Sequence, residues 1–311
     1  MVDTLTIPQV LGSVPVIPAP FDEAEQLDEA ALRRLVDHAV RARLRAICLP
    51  AYGSEFYKLT EDERLRMVAV AVEQANGRVR VFAQSNHGSA RIAADLARRN
   101  VRAGAGQISV AIPRQFAVPR EQLLRYLTTV LEAAEVPCLV QDFNPGGPTV
   151  DAEFVAELKR RCPNFLYLKL EEPLMSTKIR AIREATEDGV GILEGWGGMY
   201  MLELIPAGIY GLMPGLALAE PLDHVFHWRA DGRNQEAFDL FQKILPQIVF
   251  CLQSMELFHY CEKRLLQAMG LMKNAVIRTP AYVPDPDTAR FVDELNHHLL
   301  QSIAEFSGGS F

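Results

Sequence analysis

Residues 79–110 read VRVFAQSNHGSARIAADLARRNVRAGAGQISV, and this stretch contains one complete strand–helix–strand unit. The run at residues 79–82 is short, apolar and rich in valine, as the buried strands of a parallel sheet are. Residues 89–97 then place alanine, isoleucine and leucine at helical spacing, and a second apolar run follows at residues 107–110. Two strands that are joined by a helix lie parallel in one sheet, so the stretch predicts a βαβ unit.

The same unit repeats along most of the chain. Eight apolar runs alternate with helical segments, and they lie at residues 14–17, 46–49, 79–82, 107–110, 137–140, 165–168, 190–193 and 209–213. Strict alternation of this kind is typical of a closed (β/α)8 barrel, the α/β fold known as the TIM barrel. An open, doubly wound sheet is the alternative, but no GxGxxG follows the first strand, which weakens its dinucleotide-binding version.

Helical patterns without strands fill the C-terminal part of the sequence, at residues 236–269 and 287–303. We therefore expect two parts. Residues 1–232 form the barrel and carry the active site, and residues 233–311 form a helical extension. A barrel of this size agrees with the roughly 250 residues that α/β barrels occupy as single domains.

The composition excludes several classes of protein. The chain has 311 residues and a formal net charge of −7, whereas a protein that binds nucleic acid needs a basic face. No stretch approaches the ~20 consecutive apolar residues of a membrane span, and the N-terminus lacks the pattern of a signal peptide. The five cysteines are widely spaced and contain no CxxC motif, which indicates reduced thiols. We therefore expect a cytoplasmic protein without nucleic-acid or membrane partners.

Lys169 is the most informative residue at a strand end, where the active site of a (β/α)8 barrel lies. It follows the very apolar run Phe165–Leu168, and desolvation favours the neutral amine, which can attack a ketone and form a Schiff base. The protonated imine is then an electron sink for making or breaking a carbon–carbon bond. The alternative is a structural ion pair with Glu171, which lies on the same side two residues further on.

Five segments carry a further pattern, in order along the chain. They are VPVIPAPF at residues 14–21, AYGSEF at residues 51–56 with the following helix start, Leu168-Lys169, GIYGLMPG at residues 208–215, and Lys263 with LLQAMGL at residues 265–271. Together they resemble the dihydrodipicolinate synthase/N-acetylneuraminate lyase family of class I aldolases and lyases, over nearly the whole chain.

The resemblance implies that Lys169 is the Schiff-base lysine and that the substrate is pyruvate or another 2-oxo acid. Gln141 stands where the family carries a proton-relaying tyrosine. A glutamine amide donates and accepts hydrogen bonds but does not titrate, so we expect Gln141 to orient the substrate. Proton transfer then falls to Asp142, to Tyr52, to a bound water or to the carboxylate of the substrate.

The resemblance also implies a binding site for the substrate carboxylate. Tyr52 and Gly53 stand where the family has two threonines, and we expect their backbone N–H groups and the Ser54 hydroxyl to bind it. Gly195 leaves room for a ligand after strand seven, and Met213 ends strand eight. These residues and Asp142 complete the predicted substrate-binding set.

Three kinds of function stay open at this stage. The leading hypothesis is a Schiff-base lyase without cofactor or metal, which catalyses aldol cleavage, aldol condensation or dehydration of a deoxy sugar acid, and which forms a homo-oligomer (a dimer or a tetramer). The second is a metal-dependent barrel enzyme that uses carboxylates and a histidine at strand ends: Glu55, His87, Asp142, Glu171 and Glu194. The third is a binding or regulatory barrel without turnover. Arg114 is read either as a solvated side chain or as a partner for a second substrate carboxylate.

Overall fold

The computed structural model describes residues 8–144 and 147–307, and in them eight parallel strands alternate with helices. The strands are β1 (Gly12–Ser13), β2 (Ala46–Leu49), β3 (Arg80–Gln84), β4 (Gln107–Ala111), β5 (Cys138–Asp142), β6 (Phe165–Leu170), β7 (Gly191–Glu194) and β8 (Gly211–Leu212). Strands β2 to β8 pair in chain order, and β8 pairs with β1.

Val16 closes the ring between the first and second strands. It pairs with Cys48 of β2 and with Gly215 after β8, and the N–H of Ile17 donates to the carbonyl of Cys48 at 3.0 Å. The sheet is therefore a (β/α)8 barrel, as the alternation predicts, and the open-sheet alternative is wrong. Strand β1 lies just before the predicted run at residues 14–17, and Val16 alone of that run forms the isolated pairs given above. Pro15 has no N–H to donate to a ladder.

Helices cover the outside of the barrel. They are α1 (Glu29–Arg41), α2 (Glu61–Ala75), α3 (Ala90–Arg102), α4 (Arg120–Glu132), α5 (Ala152–Arg161), α6 (Ser176–Ala185), the short α7 (Met201–Leu204) and α8 (Ala219–Ala230). Apolar side chains between the helices and the strands form the main core, and a smaller core around Phe82 and Tyr167 fills the interior of the barrel. The strands therefore have apolar neighbours on both faces, as their composition predicts.

The C-terminal part of the described chain consists of three helices, α9 (Asn234–Cys251), α10 (Met255–Ala268) and α11 (Pro286–Ser307). The helical pattern at residues 236–269 forms two of them, α9 and α10, with a turn between Cys251 and Met255. The Ser254 hydroxyl accepts a hydrogen bond from the N–H of Leu257 at 3.2 Å and so begins α10 as its N-cap. Across the described ranges, no helix has both the length and the apolar character that a membrane span requires.

A buried ion pair fastens α10 to the loop that follows β2. Nζ of Lys263 lies 2.5 Å from Oε1 of Glu55 and donates to the carbonyl of Val276 at 2.8 Å. Both charged side chains are fully buried, and Lys58 lies 3.2 Å from the other oxygen of Glu55. Charges that are buried in this way are stable only when each one keeps its partner.

We predict that Lys263→Met lowers the free energy of unfolding by about 3 kcal/mol, because it leaves the Glu55 carboxylate buried without its closest partner. Urea unfolding measures the change. The matched control is Lys273→Met at an exposed position, which we expect to alter stability by less than about 0.5 kcal/mol. Equal effects of the two substitutions would contradict this account of how the extension is held.

Candidate active site

A cavity of about 310 Å³ opens at the carboxyl ends of the strands. Six of the eight residues predicted for the site line it: Tyr52, Gly53, Gln141, Lys169, Gly195 and Met213. They come from segments that are far apart in the sequence, and the parallel strands bring them together at one end of the barrel. Ser54 and Asp142 do not line the cavity.

Lys169 lies in β6, where it is in register with Gln141 of β5 and with Leu193 of β7. Its side chain is 7% exposed, and Nζ lies 3.1 Å from Oε1 of Glu171, which also lines the cavity. The ion pair that the sequence offered as an alternative to catalysis is therefore present. It stands inside the cavity, so the same contact can serve a proton transfer.

Glu171 has two polar partners inside the protein. Besides Lys169, its Oε1 accepts a hydrogen bond from Nε2 of Gln141 at 2.5 Å. Burial raises the pKa of Glu171, while the charge of Lys169 and the amide of Gln141 oppose that rise. The result is a carboxylate whose proton affinity is increased and whose position is fixed.

Gly195 makes space for that carboxylate. A Cβ atom at this position would collide with Cγ of Glu171 and would lie 2.8 Å from the carbonyl oxygen of Leu170. Only glycine therefore fits beside Glu171. The role of Gly195 that follows from the geometry is to admit the Glu171 side chain, in addition to lining the cavity.

Glu194 is a second buried carboxylate near the cavity, at the end of β7. It accepts hydrogen bonds from the backbone N–H groups of Trp196 at 3.1 Å and of Gly198 at 2.7 Å. Burial raises its pKa to about 7, against the opposing effect of the backbone N–H groups of Gly198 and Tyr200. The Glu194 side chain thereby shapes the loop that carries Gly195 and Trp196 into the cavity wall.

The loop after β2 presents Tyr52 and Gly53 to the cavity. The ring of Tyr52 packs against Phe56 and Phe143, with centroids 5.1 and 5.3 Å away. Ser54 differs from the expectation, because its fully buried hydroxyl donates to the carbonyl of Ile17 at 2.5 Å and accepts from the N–H of Ala51 at 2.9 Å. Ser54 therefore holds the loop in place.

Asp142 also differs from the expectation. Its buried carboxylate accepts two hydrogen bonds from Arg114, at 2.8 and 2.6 Å, and one from the N–H of Val150 at 2.7 Å. Successive residues of a strand point to opposite faces, so Asp142 points away from the side on which Gln141 lies. Arg114 therefore binds a carboxylate of the protein itself. This differs from both expectations for it, a solvated side chain and a partner for a substrate carboxylate.

Sequence reasoning missed the part of the cavity wall that the extension supplies. Leu252, Met255 and Phe258, from the α9–α10 turn and from α10, line the cavity together with the barrel loops. A Cβ atom at Gly53 would lie 3.1 Å from the ring of Phe258, and one at Gly197 would lie 3.2 Å from Leu252. The only sequence signal was Ser254, a good N-cap residue inside a predicted helix.

The five residues of the metal-site alternative have separate partners. Glu55 pairs with Lys263, Asp142 with Arg114, Glu171 with Lys169, and Glu194 with backbone N–H groups, while Nδ1 of His87 accepts from the N–H of Ser89 at 2.9 Å. Within residues 8–144 and 147–307, no three His, Cys, Asp or Glu side chains form a group that could hold a metal ion. The alternative thus has no geometric support there.

Comparisons with known proteins identify related sequences. The sequence model of the dihydrodipicolinate synthetase family matches residues 9–295. L-2-keto-3-deoxyarabonate dehydratase of Azospirillum brasilense is 27% identical over 285 residues, which cover 90% of this chain and 92% of the relative. 4-Hydroxy-tetrahydrodipicolinate synthase of Gluconobacter oxydans is 27% identical over 287 residues, which cover 91% and 94%.

Solved structures share the fold. The chain is similar to dihydrodipicolinate synthase from Rhodopseudomonas palustris, with a TM-score of 0.87 and 22% identity over 94% of this chain and 98% of that one. It is also similar to 4-hydroxy-tetrahydrodipicolinate synthase from Methylacidiphilum fumariolicum SolV, with a TM-score of 0.89 and 19% identity over 96% and 99%. At these identities the likeness concerns the fold alone.

We predict that Glu194→Gln makes the stability of the protein less dependent on pH. The folded chain holds a proton at Glu194 up to about pH 7, whereas the unfolded chain releases it near the ordinary pKa of 4.5. Stability is therefore lost as the pH rises between these values, by at most about 3 kcal/mol.

Urea unfolding at about pH 5 and about pH 8 tests this, since the wild-type protein should lose more stability between the two than the variant. Glu203→Gln, at an exposed position, is the control and should behave like the wild type. The same loss of stability in Glu194→Gln and in the wild type would show that burial of this carboxylate has no such effect.

Proposed function

The chain belongs to the dihydrodipicolinate synthetase family, and we propose that it is a lyase of the class I aldolase type whose Lys169 forms a Schiff base with a 2-oxo acid. The observation that carries the proposal is the contact of 3.1 Å between Nζ of Lys169 and Oε1 of Glu171 in the cavity lining. Imine chemistry needs a nucleophilic amine and a group that moves protons beside it, and this contact supplies both.

In the first step, Glu171 accepts a proton from the ammonium group of Lys169. The neutral amine attacks C2 of the 2-oxo acid and passes one of its protons to the carbonyl oxygen. Glu171 returns its own proton to the same oxygen, which leaves as water, so that a protonated imine and an ionised Glu171 remain. Burial of Glu171, which raises its pKa, favours this proton uptake. The roles expected for Asp142 and for Tyr52 in proton transfer are thereby assigned to Glu171 instead.

In the second step, the carboxylate of Glu171 removes a proton from C3 of the imine, and the electron pair moves into the imine to give an enamine. Where C4 carries a hydroxyl group, protonated Glu171 returns the proton to it. The hydroxyl leaves as water, the enamine electrons form the C3–C4 double bond, and the protonated imine is restored. Hydrolysis then frees Lys169, and the net reaction up to this point is loss of one water.

The charges of the lining support dehydration rather than condensation with a second anion. Lys169 is the only lysine, arginine or histidine among the lining residues in the described part of the chain, and Arg114 is paired with Asp142. A single substrate with one carboxylate fits this arrangement. The relative from Azospirillum brasilense, an L-2-keto-3-deoxyarabonate dehydratase, supports a 2-keto-3-deoxy sugar acid as the substrate class.

Binding of the substrate carboxylate falls to backbone N–H groups of the loop that contains Tyr52 and Gly53. Gly53 lines the cavity without a side chain, so a carboxylate can approach the backbone there. Gln141 and Met213 complete the wall around the reacting carbons. Backbone donors suit a chain with a net charge of −7, because they attract an anion locally without adding charge.

Two further points belong to the proposal. The five cysteines are free and buried, which supports a reducing compartment, the cytoplasm. A homo-oligomeric assembly, a dimer or a homotetramer, stays a prediction.

We predict that sodium borohydride traps a covalent adduct of pyruvate on Lys169, which intact mass and peptide mapping detect. Lys169→Ala removes the adduct. Lys159→Met is the matched control. Burial lowers the pKa of Lys159 to about 8, so its amine is partly neutral near that pH and could also attack a ketone. We expect this control to keep the adduct in full, and an adduct on Lys159 or none with any 2-oxo acid would refute the proposal.

We predict that Glu171→Gln slows the exchange of the methyl protons of pyruvate with deuterated water at least about 100-fold, because removal of a C3 proton needs a base. Nuclear magnetic resonance follows this exchange. The control is Glu172→Gln, since the neighbouring carboxylate contacts Lys178 and Thr149 instead. If the Glu171→Gln variant exchanged the methyl protons at an unchanged rate, another group would be the base. If the wild-type protein formed the adduct without exchanging the protons, it would be a binding protein without turnover.

A further inference from the structure

Gln84, Gln141 and Glu171 form a chain of hydrogen bonds, which we call the amide relay. Gln84, the last residue of β3, donates through Nε2 to Oε1 of Gln141 at 2.9 Å. Gln141 donates through its own Nε2 to Oε1 of Glu171 at 2.5 Å. Gln84 is 1% exposed and does not line the cavity, so it acts on the site only through Gln141.

Small side chains on β4 allow the two amides to meet. Strand β4 lies between β3 and β5, with Ser109 in register with Gln84 and Ala111 in register with Gln141. Residues 109 and 111 lie on the same face of β4, because side chains alternate along a strand. Neither side chain is large enough to separate the glutamines.

The hydrogen-bonding capacity of Glu171 gives the relay a direction. An ionised carboxylate only accepts, so Gln141 turns its NH2 group towards Glu171 and its carbonyl oxygen towards Gln84. Gln84 must then turn its own NH2 group towards Gln141. Oε1 of Gln84 is buried without a hydrogen-bond partner among the described residues, so no third group is seen to set the orientation of this amide.

We propose that Gln84 is a positioning residue for the acid–base carboxylate. By donating to Oε1 of Gln141, it holds the Gln141 amide with its N–H groups towards Glu171. The inference rests on the proposed role of Glu171. It assigns a function to a buried glutamine that does not line the cavity and has no hydrogen bond to Lys169 among those described above.

The direction of the relay has a consequence for proton transfer. The N–H of Gln141 lowers the pKa of Glu171, against the effect of burial. An amide turned the other way would place its carbonyl oxygen against the carboxylate and would favour the protonated form. Loss of the Gln84 donor should therefore move the pH at which Glu171 becomes a competent base upwards.

The test is the rate of methyl-proton exchange of pyruvate in deuterated water, measured against pH. For Gln84→Met we expect a roughly tenfold lower rate, and an acidic limb of the pH profile that lies about one unit higher. Gln84→Glu is the second variant. Where it is ionised, the introduced carboxylate only accepts, so it forces the Gln141 amide to turn, and we expect a larger upward shift of the limb at those pH values.

A double-mutant cycle separates the relay from a general loss of stability or a change of charge. In the Gln141→Leu background the path from Gln84 to Glu171 is already broken. Gln84→Met should then have no further effect on the rate or on the limb, and the shift by Gln84→Glu should shrink. Full additivity of the two substitutions would overturn the proposal.

Failure of the inference and failure of the proposed function are distinguishable. If the wild-type protein forms no pyruvate adduct and exchanges no methyl protons, the proposed function is wrong and the inference falls with it. If the adduct and the exchange are present but Gln84→Met and Gln84→Glu leave the acidic limb in place, only the relay is refuted. Thermal unfolding of each variant, recorded alongside, identifies any sample that is not folded at the assay temperature.

Discussion

A carboxylate that is buried in a protein needs partners for its charge, and Glu171 has an amine and an amide. This requirement explains the arrangement around it. The register of β5 and β6 sets Gln141 beside Lys169, Gly195 leaves the space into which the Glu171 side chain extends, and Gln84 holds the Gln141 amide. The chemistry that we propose depends on this one group, which exchanges protons with the lysine and then with the bound substrate.

The helical extension completes the same environment from the other side. Leu252 and Phe258 pack at Gly197 and Gly53, where the absence of side chains lets them approach the loops after β7 and β2. The buried pair of Lys263 and Glu55 fastens α10 to the second of these loops. An apolar wall of this kind limits access of water, and a lower local dielectric strengthens the interaction between Lys169 and Glu171. Barrel and extension therefore form one site.

The sequence predicts the barrel well, because the signals for it are local. Short apolar runs and helical spacing need only neighbouring residues, and the position of Lys169 follows once the strand ends are known. What it does not predict depends on contacts between distant residues. Arg114 donates a hydrogen bond to Asp142, and the Ser54 hydroxyl donates to the carbonyl of Ile17. Lys263 pairs with Glu55, which lies 208 positions away in the sequence. The break at Ser254 is also tertiary, since a helical pattern runs through it and packing over the cavity decides where the chain turns.

The central claim is that Lys169 and Glu171 act on one bound molecule, the first as nucleophile and the second as base. The most direct measurement is a nuclear magnetic resonance spectrum of the protein in deuterated water with pyruvate that is isotope-labelled at its carbonyl carbon. The account predicts an imine carbon signal together with deuterium in the methyl group. Methyl exchange without an imine, or an imine whose methyl group keeps its protons, would contradict it.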